Sequence, residues 1–317
     1  NVGHPIAARL AAAGHAVRAL VRSPERARPI LPEGVEAVQG DVTDPDSVRA
    51  AVRGCELVYH AAGLPEQWRL DPADFTRVNV EGTRNMVSAA QAAGVERFVY
   101  TSTIDVFRWT PGEPFDESVL DPDPRPTHYE RSKQEADRIV AEAAEAGLST
   151  VFLHPAAVYG PAPVLTPGLN DFLVRLARRK VPMLLPGGMP VVYSEDVAEG
   201  HIRAATDAPD GARYILSGPY LTLEEIARAV ARHIPGAKVP RVMPIGLARA
   251  LSVAGEAIAR VIRKPPLIPR GQLHFLESHA VPGARRAEEE LGWSATEFNQ
   301  GLERTLGHFA AQGWAPG

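Results

Sequence analysis

The chain has 317 residues, 45% hydrophobic and 23% charged, with a formal net charge of −4. That is enough apolar material for one large core with an appended lobe, and the absence of basic runs argues against a nucleic-acid partner. One cysteine, Cys55, allows no internal disulfide, and with no secretory signal visible the expected setting is a reducing cytoplasm.

The first predicted element is an alanine-rich helix over residues 5–13, opened by Pro5 and closed by Gly14. A strand over 16–22 ends in Arg22 and is followed by a second helix region and the run Gly40-Asp41-Val42-Thr43-Asp44. The next strand starts at Cys55 and runs into His60, Ala61, Ala62 and Gly63, small residues past which a backbone can approach a ligand closely. A further buried strand, from Val95, ends in Thr101-Ser102-Thr103. Strands alternating with helices through about residue 160 predict an α/β fold, a doubly wound, Rossmann-like parallel sheet whose ligands bind beyond the carboxyl ends of its strands.

Residues 121–126 alternate Asp or Arg with Pro and cannot be helical, so Thr127 offers a capping hydroxyl to a helix that reaches Ala146 and stops at Gly147. Ile139, Val140 and Ala143 turn one face of this helix toward the sheet, leaving Tyr129 and Lys133 on its first turns. Four residues apart, they share a face, so the ammonium is expected near the phenol, lowering a pKa that starts near 10. By itself Y-x-x-x-K is a weak signal, since an exposed tyrosine beside a surface lysine looks the same. The neighbouring strand ends give it weight, because a tuned phenol beside a strand-end hydroxyl, Thr103, can exchange a proton with a substrate oxygen.

A strand from Thr150 leads through His154 and Pro155 to Val158-Tyr159-Gly160-Pro161. The expected organisation is a dinucleotide-binding domain over 1–160, rejoined by 190–211, with a smaller substrate-binding lobe from 161–189 and 212–317. Thr222 and Glu225 form a capping-box pattern that starts a lobe helix. Residues 244–262 are apolar on one side but interrupted by Arg249, Glu256 and Arg260, which makes an uncomfortable membrane span. A peripheral contact with lipid stands there beside the plainer reading of a lid or subunit-facing helix.

The segments Gly40 to Asp44, His60 to Gly63, Asn79-Val80-Glu81-Gly82-Thr83, Thr101 to Thr103, Tyr129 to Lys133, Pro155 to Pro161 and Tyr193-Ser194-Glu195-Asp196-Val197 resemble, in order, the extended short-chain dehydrogenase/reductase family, whose members include NAD(P)-dependent epimerases and dehydratases. Residues 68–86 and 191–205 look most like its dihydroflavonol-reductase and 3β-hydroxysteroid-dehydrogenase branch. The resemblance implies that Thr103, Tyr129 and Lys133 are catalytic, Lys133 also holding the nicotinamide ribose. It implies that Gly3, Asp41, Val42, His60, Ala61, Ala62, Asn79, Thr101, Pro155 and Val158 line the cofactor, with Asp41 and Val42 beside the adenine, and that the chain forms a homodimer. In this family a strand and a Gly-rich turn precede the position of Gly3, so the chain is expected to begin inside the domain, on the order of 10 residues in.

Arg22 stands where an acidic residue usually holds a ribose 2′-hydroxyl; a guanidinium suits a 2′-phosphate, so NADP(H) is expected, with NAD(H) the alternative. Residues 162–174 contain no Lys or Arg to neutralise a nucleotide-sugar diphosphate, whereas Trp68, Phe107, Trp109, Phe172 and Met183 are expected around the cleft. These residues point to an oxidoreductase interconverting a ketone or aldehyde and an alcohol on a flat or lipophilic small molecule. A nucleotide-sugar epimerase or dehydratase is the alternative, and a non-catalytic cofactor-responsive regulator a second. No metal is expected, and His154 is read as a buried, hydrogen-bonded histidine.

Overall fold

The computed structural model describes residues 2–66, 68–234 and 236–316. The chain opens with α1 (Gly3–Ala12), β1 (Val17–Val21), α2 (Pro24–Ala27), β2 (Val35–Gln39), α3 (Pro45–Val52) and β3 (Leu57–His60). α4 (Ala73–Phe75) runs through a π-helical turn, Thr76–Glu81, into α5 (Gly82–Ala93); β4 (Arg97–Thr101), a 3-10 turn at Ile104–Val106 and β5 (Pro114–Phe115) follow. Next come α6 (His128–Glu145), β6 (Thr150–Pro155), β7 (Ala157–Tyr159), α7 (Leu169–Ala177), β8 (Gly188–Tyr193), α8 (Ser194–Asp207) and β9 (Arg213–Leu216). The last part holds β10 (Tyr220–Thr222), α9 (Leu223–His233), α10 (Ile245–Ile262), α11 (Arg270–Glu277), β11 (Val281–Pro282), α12 (Arg285–Leu291) and α13 (Phe298–Ala311).

The central sheet is parallel, in the order β3-β4-β6-β9. Phe98, Val99 and Tyr100 of β4 and Val151, Phe152 and Leu153 of β6 are buried without alternation, because helices cover both faces. Alanines and valines of α5 and α6 pack one face; α8 and α12 pack the other with Tyr214 and Ile215. This is the expected doubly wound α/β architecture. β1 and β2 form a separate parallel pair and are only half-buried; α3 connects them to the rest by packing on α5.

Two boundaries differ from expectation. Residues 213–216, assigned to the lobe, form β9 and pair with β6, so the central sheet takes its last strand from beyond residue 211. β8, expected to return to the central sheet, instead sits between β7 and antiparallel β10 in a three-stranded sheet, and it is α8 that returns. The reason is packing: Val191 and Tyr193 bury against the lobe helices α7, α9 and α13, while Val197, Ala204 and Ala205 of α8 bury against β4, β6 and β9.

α6 positions the site. Thr127 caps it reciprocally with Glu130: the hydroxyl accepts from the Glu130 N–H at 3.1 Å and the carboxylate accepts from the Thr127 N–H at 2.9 Å. Thr222 and Glu225 make the expected box on α9. Gly147, at φ +97°, ends the α6 segment in a conformation that side chains rarely adopt.

Candidate active site

Thr103 lies two residues beyond β4 and begins the 3-10 turn. It is buried, donates its hydroxyl hydrogen to Asp105 Oδ2 at 2.8 Å, and accepts from His154 Nδ1 at its carbonyl, 3.1 Å away. Tyr129, in the first turn of α6, meets Phe75 edge-to-face at 6.2 Å and lies near the Thr103 side chain. Two hydroxyl residues from segments 26 positions apart in sequence thus come near each other at the carboxyl edge of the sheet.

Lys133 is buried one turn along α6. Its Nζ donates to the Tyr100 hydroxyl at 3.0 Å and the Thr101 carbonyl at 2.9 Å, and burial lowers its pKa to about 8 against the pull of Asp137 and Asp105. The expected lowering of the Tyr129 pKa does not occur in this state. Burial and the Asp105 carboxylate drive it up, with Glu66 and Glu130 adding and the nearby Thr103 hydroxyl opposing. The ammonium has turned toward Tyr100 and β4, so carboxylates set the field at the phenol.

That carboxylate group was missing from the sequence reading. Asp105 is buried and its pKa raised by desolvation and by Glu130. Glu66 is pushed up to about 7 by burial, with no partner for its Oε2. Glu130 stays below the usual carboxylate range despite its burial, because His274, the Thr127 N–H and Arg125 hold its charge; His274 is raised in return. α11 closes this side, its Gly271 lying so near Glu66 that a Cβ there would collide. The Thr127/Glu130 spacing could have revealed Glu130, but Glu66 comes from a distant loop and His274 from α11, and neither carries a local signal.

The residues expected on the cofactor side follow. Gly3 opens α1 close to Ala61, where a Cβ would sit 3.9 Å from the Ala61 Cβ, and no side chain caps the first turn of α1. Such an end can take phosphate oxygens. Arg22, at the end of β1, is exposed and has no partner among the described residues. It faces a cavity of about 420 Å³ lined also by Ser23, Arg28 and Gln39. An uncapped helix start, close backbone and a free guanidinium together fit a dinucleotide.

Other expected contacts are already committed within the protein. Asn79, on the π-helical turn, exchanges two bonds with the Leu64 backbone, at 2.7 and 3.1 Å, and donates to Ser132 Oγ at 2.9 Å, so it shapes the loop holding Ala61, Ala62 and Gly63. Asp41 Oδ1 accepts from Thr43 N–H and hydroxyl, and Val42 packs against Gly82. His60 is buried against Thr83 Oγ1 at 2.9 Å, its pKa driven down to about 3 by burial and Lys133. Thr101 gives its carbonyl to Lys133 and its hydroxyl to His201 at 2.9 Å. Pro155 ends β6 in full burial, and Val158 is half-buried on β7.

Behind Thr103 lies a buried ionic network. Ser102 Oγ donates to Asp137 Oδ2 at 2.6 Å, Arg213 pairs with Asp137 Oδ1 at 2.7 Å, and Arg213 stacks on Phe152. His154, as expected, is buried and hydrogen-bonded. Among the aromatics expected at the cleft, Phe107 is instead core, fully buried with its ring 4.5 Å from that of His154. Phe172 packs on the lobe core, and Trp109 is held between Phe115 and the Arg125 guanidinium.

A model of the NAD dependent epimerase/dehydratase family matches residues 1–216. A ketoreductase of Stigmatella aurantiaca, named for 4-hydroxy-2-methyl-3-oxo-4-farnesyl-3,4-dihydroquinoline-1-oxide, is 28% identical, covering 95% of this chain and 92% of that protein. Sterol demethylase protein B of Methylococcus capsulatus is 26% identical, covering 99% and 96%. The structure of Thermus thermophilus UDP-glucose 4-epimerase in complex with NAD superposes with a TM-score of 0.76 at 26% identity, over 98% of this chain and 96% of that one. Other relatives carry dihydroflavonol-reductase and 3β-hydroxysteroid-dehydrogenase names. The chain belongs to the NAD-dependent epimerase/dehydratase family, within the extended short-chain dehydrogenases/reductases, and is an oxidoreductase dependent on a nicotinamide dinucleotide.

Proposed function

We propose that this protein uses NADP(H) to reduce a ketone or aldehyde on a flat or lipophilic small molecule, or to oxidise the corresponding alcohol. The observation that carries the proposal is the placement of Tyr129 and Lys133 on the first turns of α6, Lys133 donating to the Thr101 carbonyl two residues before Thr103, on a parallel sheet whose Ala61 lies against Gly3. The dinucleotide, when bound, supplies or takes the hydride. Thr103 turns its hydroxyl hydrogen from Asp105 to the carbonyl oxygen, and Tyr129 gives that oxygen a proton as negative charge develops on it. Lys133, once its ammonium turned from Tyr100, would hold the ribose hydroxyls, and its positive charge would stabilise the tyrosinate left after proton transfer. Arg22 takes the 2′-phosphate, and the α1 terminus with Ala61 and Ala62 takes the pyrophosphate side.

The lobe favours an uncharged substrate. Residues 162–174 carry no Lys or Arg, and Arg178 donates to the Gly313 carbonyl instead of standing free for a diphosphate. Relatives named for a farnesylated quinoline oxide and for a sterol point the same way. We read the protein as a homodimer working in the cytoplasm.

The test is purified protein with NADPH and separate panels of aryl, steroid and long-chain alkyl ketones, following loss of reduced-cofactor absorbance. Turnover on one panel supports the reading. Cofactor binding with no turnover on any panel would assign the chain to regulators, and micromolar binding of a UDP-sugar with turnover would make it an epimerase or dehydratase.

A further inference from the structure

α10 stands on the molecule through a narrow inner face. Ala248, Ser252 and Ala259 are buried, beside a small cluster of Ile268 and Leu273. Its outer face is apolar along its whole length: Leu247, Leu251, Ala254, Ile258, Val261 and Ile262 recur at helical spacing and are all exposed, Ile258 by 59% and Val261 by 83%. Leu267, just past the helix, adds a further side chain 79% exposed. An 18-residue helix is about 27 Å long, so this stripe is longer than the scattered apolar exposure usual on a monomer surface.

Charge distinguishes the occupants. Glu256, the one acidic residue between 245 and 268, is half-buried and accepts from the Arg270 N–H at 2.9 Å. Arg260, Arg263 and Lys264 cluster at the carboxyl end of the stripe, exposed and without ionic partners among the described residues. A second copy docking stripe to stripe would bring no carboxylate to these cations. A bilayer bearing anionic headgroups supplies both an apolar layer and negative charge. No described helix is long and apolar enough to cross a membrane, so the helix would lie along the surface.

We infer that the outer face of α10 docks this protein on the surface of an anionic lipid bilayer, with Leu251, Ile258 and Val261 entering the acyl boundary and Arg260, Arg263 and Lys264 at the phosphates. α10 packs on α11, and α11 borders the Tyr129 site through His274 and Gly271. Docking therefore sets the lobe side of that site beside the lipid, where a lipophilic ketone concentrates. The docking itself does not depend on the proposed reaction.

The experiment is sedimentation of the full chain with vesicles of phosphatidylcholine alone or mixed with phosphatidylglycerol. Binding is expected to the mixed vesicles, weakening at high salt as headgroup attraction is screened. The Arg260→Gln/Arg263→Gln/Lys264→Gln variant should lose about fivefold in affinity per cation. The Leu251→Glu/Ile258→Glu/Val261→Glu variant should lose binding altogether. Val261→Trp, an exposed and conservative change, should show a fluorescence blue shift with mixed vesicles only, a readout that survives if the triple variant folds poorly. Absence of both sedimentation and blue shift overturns the proposal. So does a concentration-dependent doubling of mass in light scattering that Val261→Glu abolishes while vesicle binding is absent, which would give the face to a second copy.

Discussion

The Thr103 hydroxyl donates to Asp105 Oδ2 at 2.8 Å, so the side chain that faces Tyr129 is oriented by a buried carboxylate two residues along the chain. Asp105 thereby both holds Thr103 and, by its charge, opposes ionisation of Tyr129. Asp105→Asn keeps an acceptor for Thr103 and removes the charge. The Tyr129 pKa should fall by about one unit, and alcohol oxidation, which needs the phenolate, should speed up by up to about tenfold at neutral pH. An oxidation pH profile that superimposes on that of the parent would remove Asp105 from this role.

Tyr129→Phe deletes the hydroxyl and little else, since the ring keeps its edge-to-face contact with Phe75. Turnover should drop by about 10²- to 10⁴-fold, with dissociation constants for NADPH almost unchanged in fluorescence titration. A rate close to that of the parent would mean that another acid protonates the product.

Arg22 is exposed and unpaired among the described residues, so changing it should leave the fold intact. Arg22→Glu should lower affinity for NADPH relative to NADH by on the order of tenfold or more, through loss of a charge-assisted contact and added repulsion from the 2′-phosphate. The ratio of the two dissociation constants is the measurement, and an unaltered ratio would place the 2′-phosphate elsewhere.

Asp137 and Arg213 are paired in the interior behind Thr103. Asp137→Ala leaves a buried guanidinium without its partner and takes away the acceptor of Ser102, so stability should fall by about 3–5 kcal/mol in urea unfolding. A loss below about 1 kcal/mol would show that Arg213 finds another partner or water.

Acid should destabilise the fold. His60 and His201 are held neutral by burial, with folded pKa values near 3 and 4 against 6.5 unfolded. Their contribution is complete above about pH 6.5 and is lost as pH falls toward those folded values. Buried His154 is lowered in the same sense. Glu66 and Asp105, both raised, act oppositely: their contribution is complete at low pH and declines as pH rises, for Glu66 through about 7. The three histidines outweigh the two acids, so Tm should drop between about pH 7 and pH 5, and more steeply in Glu66→Gln. A Tm that rises over that interval would show the acids dominate.

The sequence alone determined the alternation of strands and helices through about residue 160 and the helix that carries Tyr129 and Lys133. Unbroken apolar runs such as those of β4 and β6 must be covered on both faces, and parallel strands bring Ala61, Thr103 and Pro155 to one side, so local pattern sufficed there. Thr127, Gly147 and Thr222 likewise mark helix ends by short-range hydrogen bonding or backbone conformation alone. What only the tertiary structure decided was the field at Tyr129. Lys133 shares its helix face, yet the side chain turns toward Tyr100, while Glu66, Asp105 and Glu130 converge from three segments with His274 from a fourth. The same holds for β9 and Phe107, whose surroundings are assembled from residues far apart in the chain. Helix spacing fixes which side chains share a face; burial and charges brought in from elsewhere fix where those side chains point and which protonation state they hold.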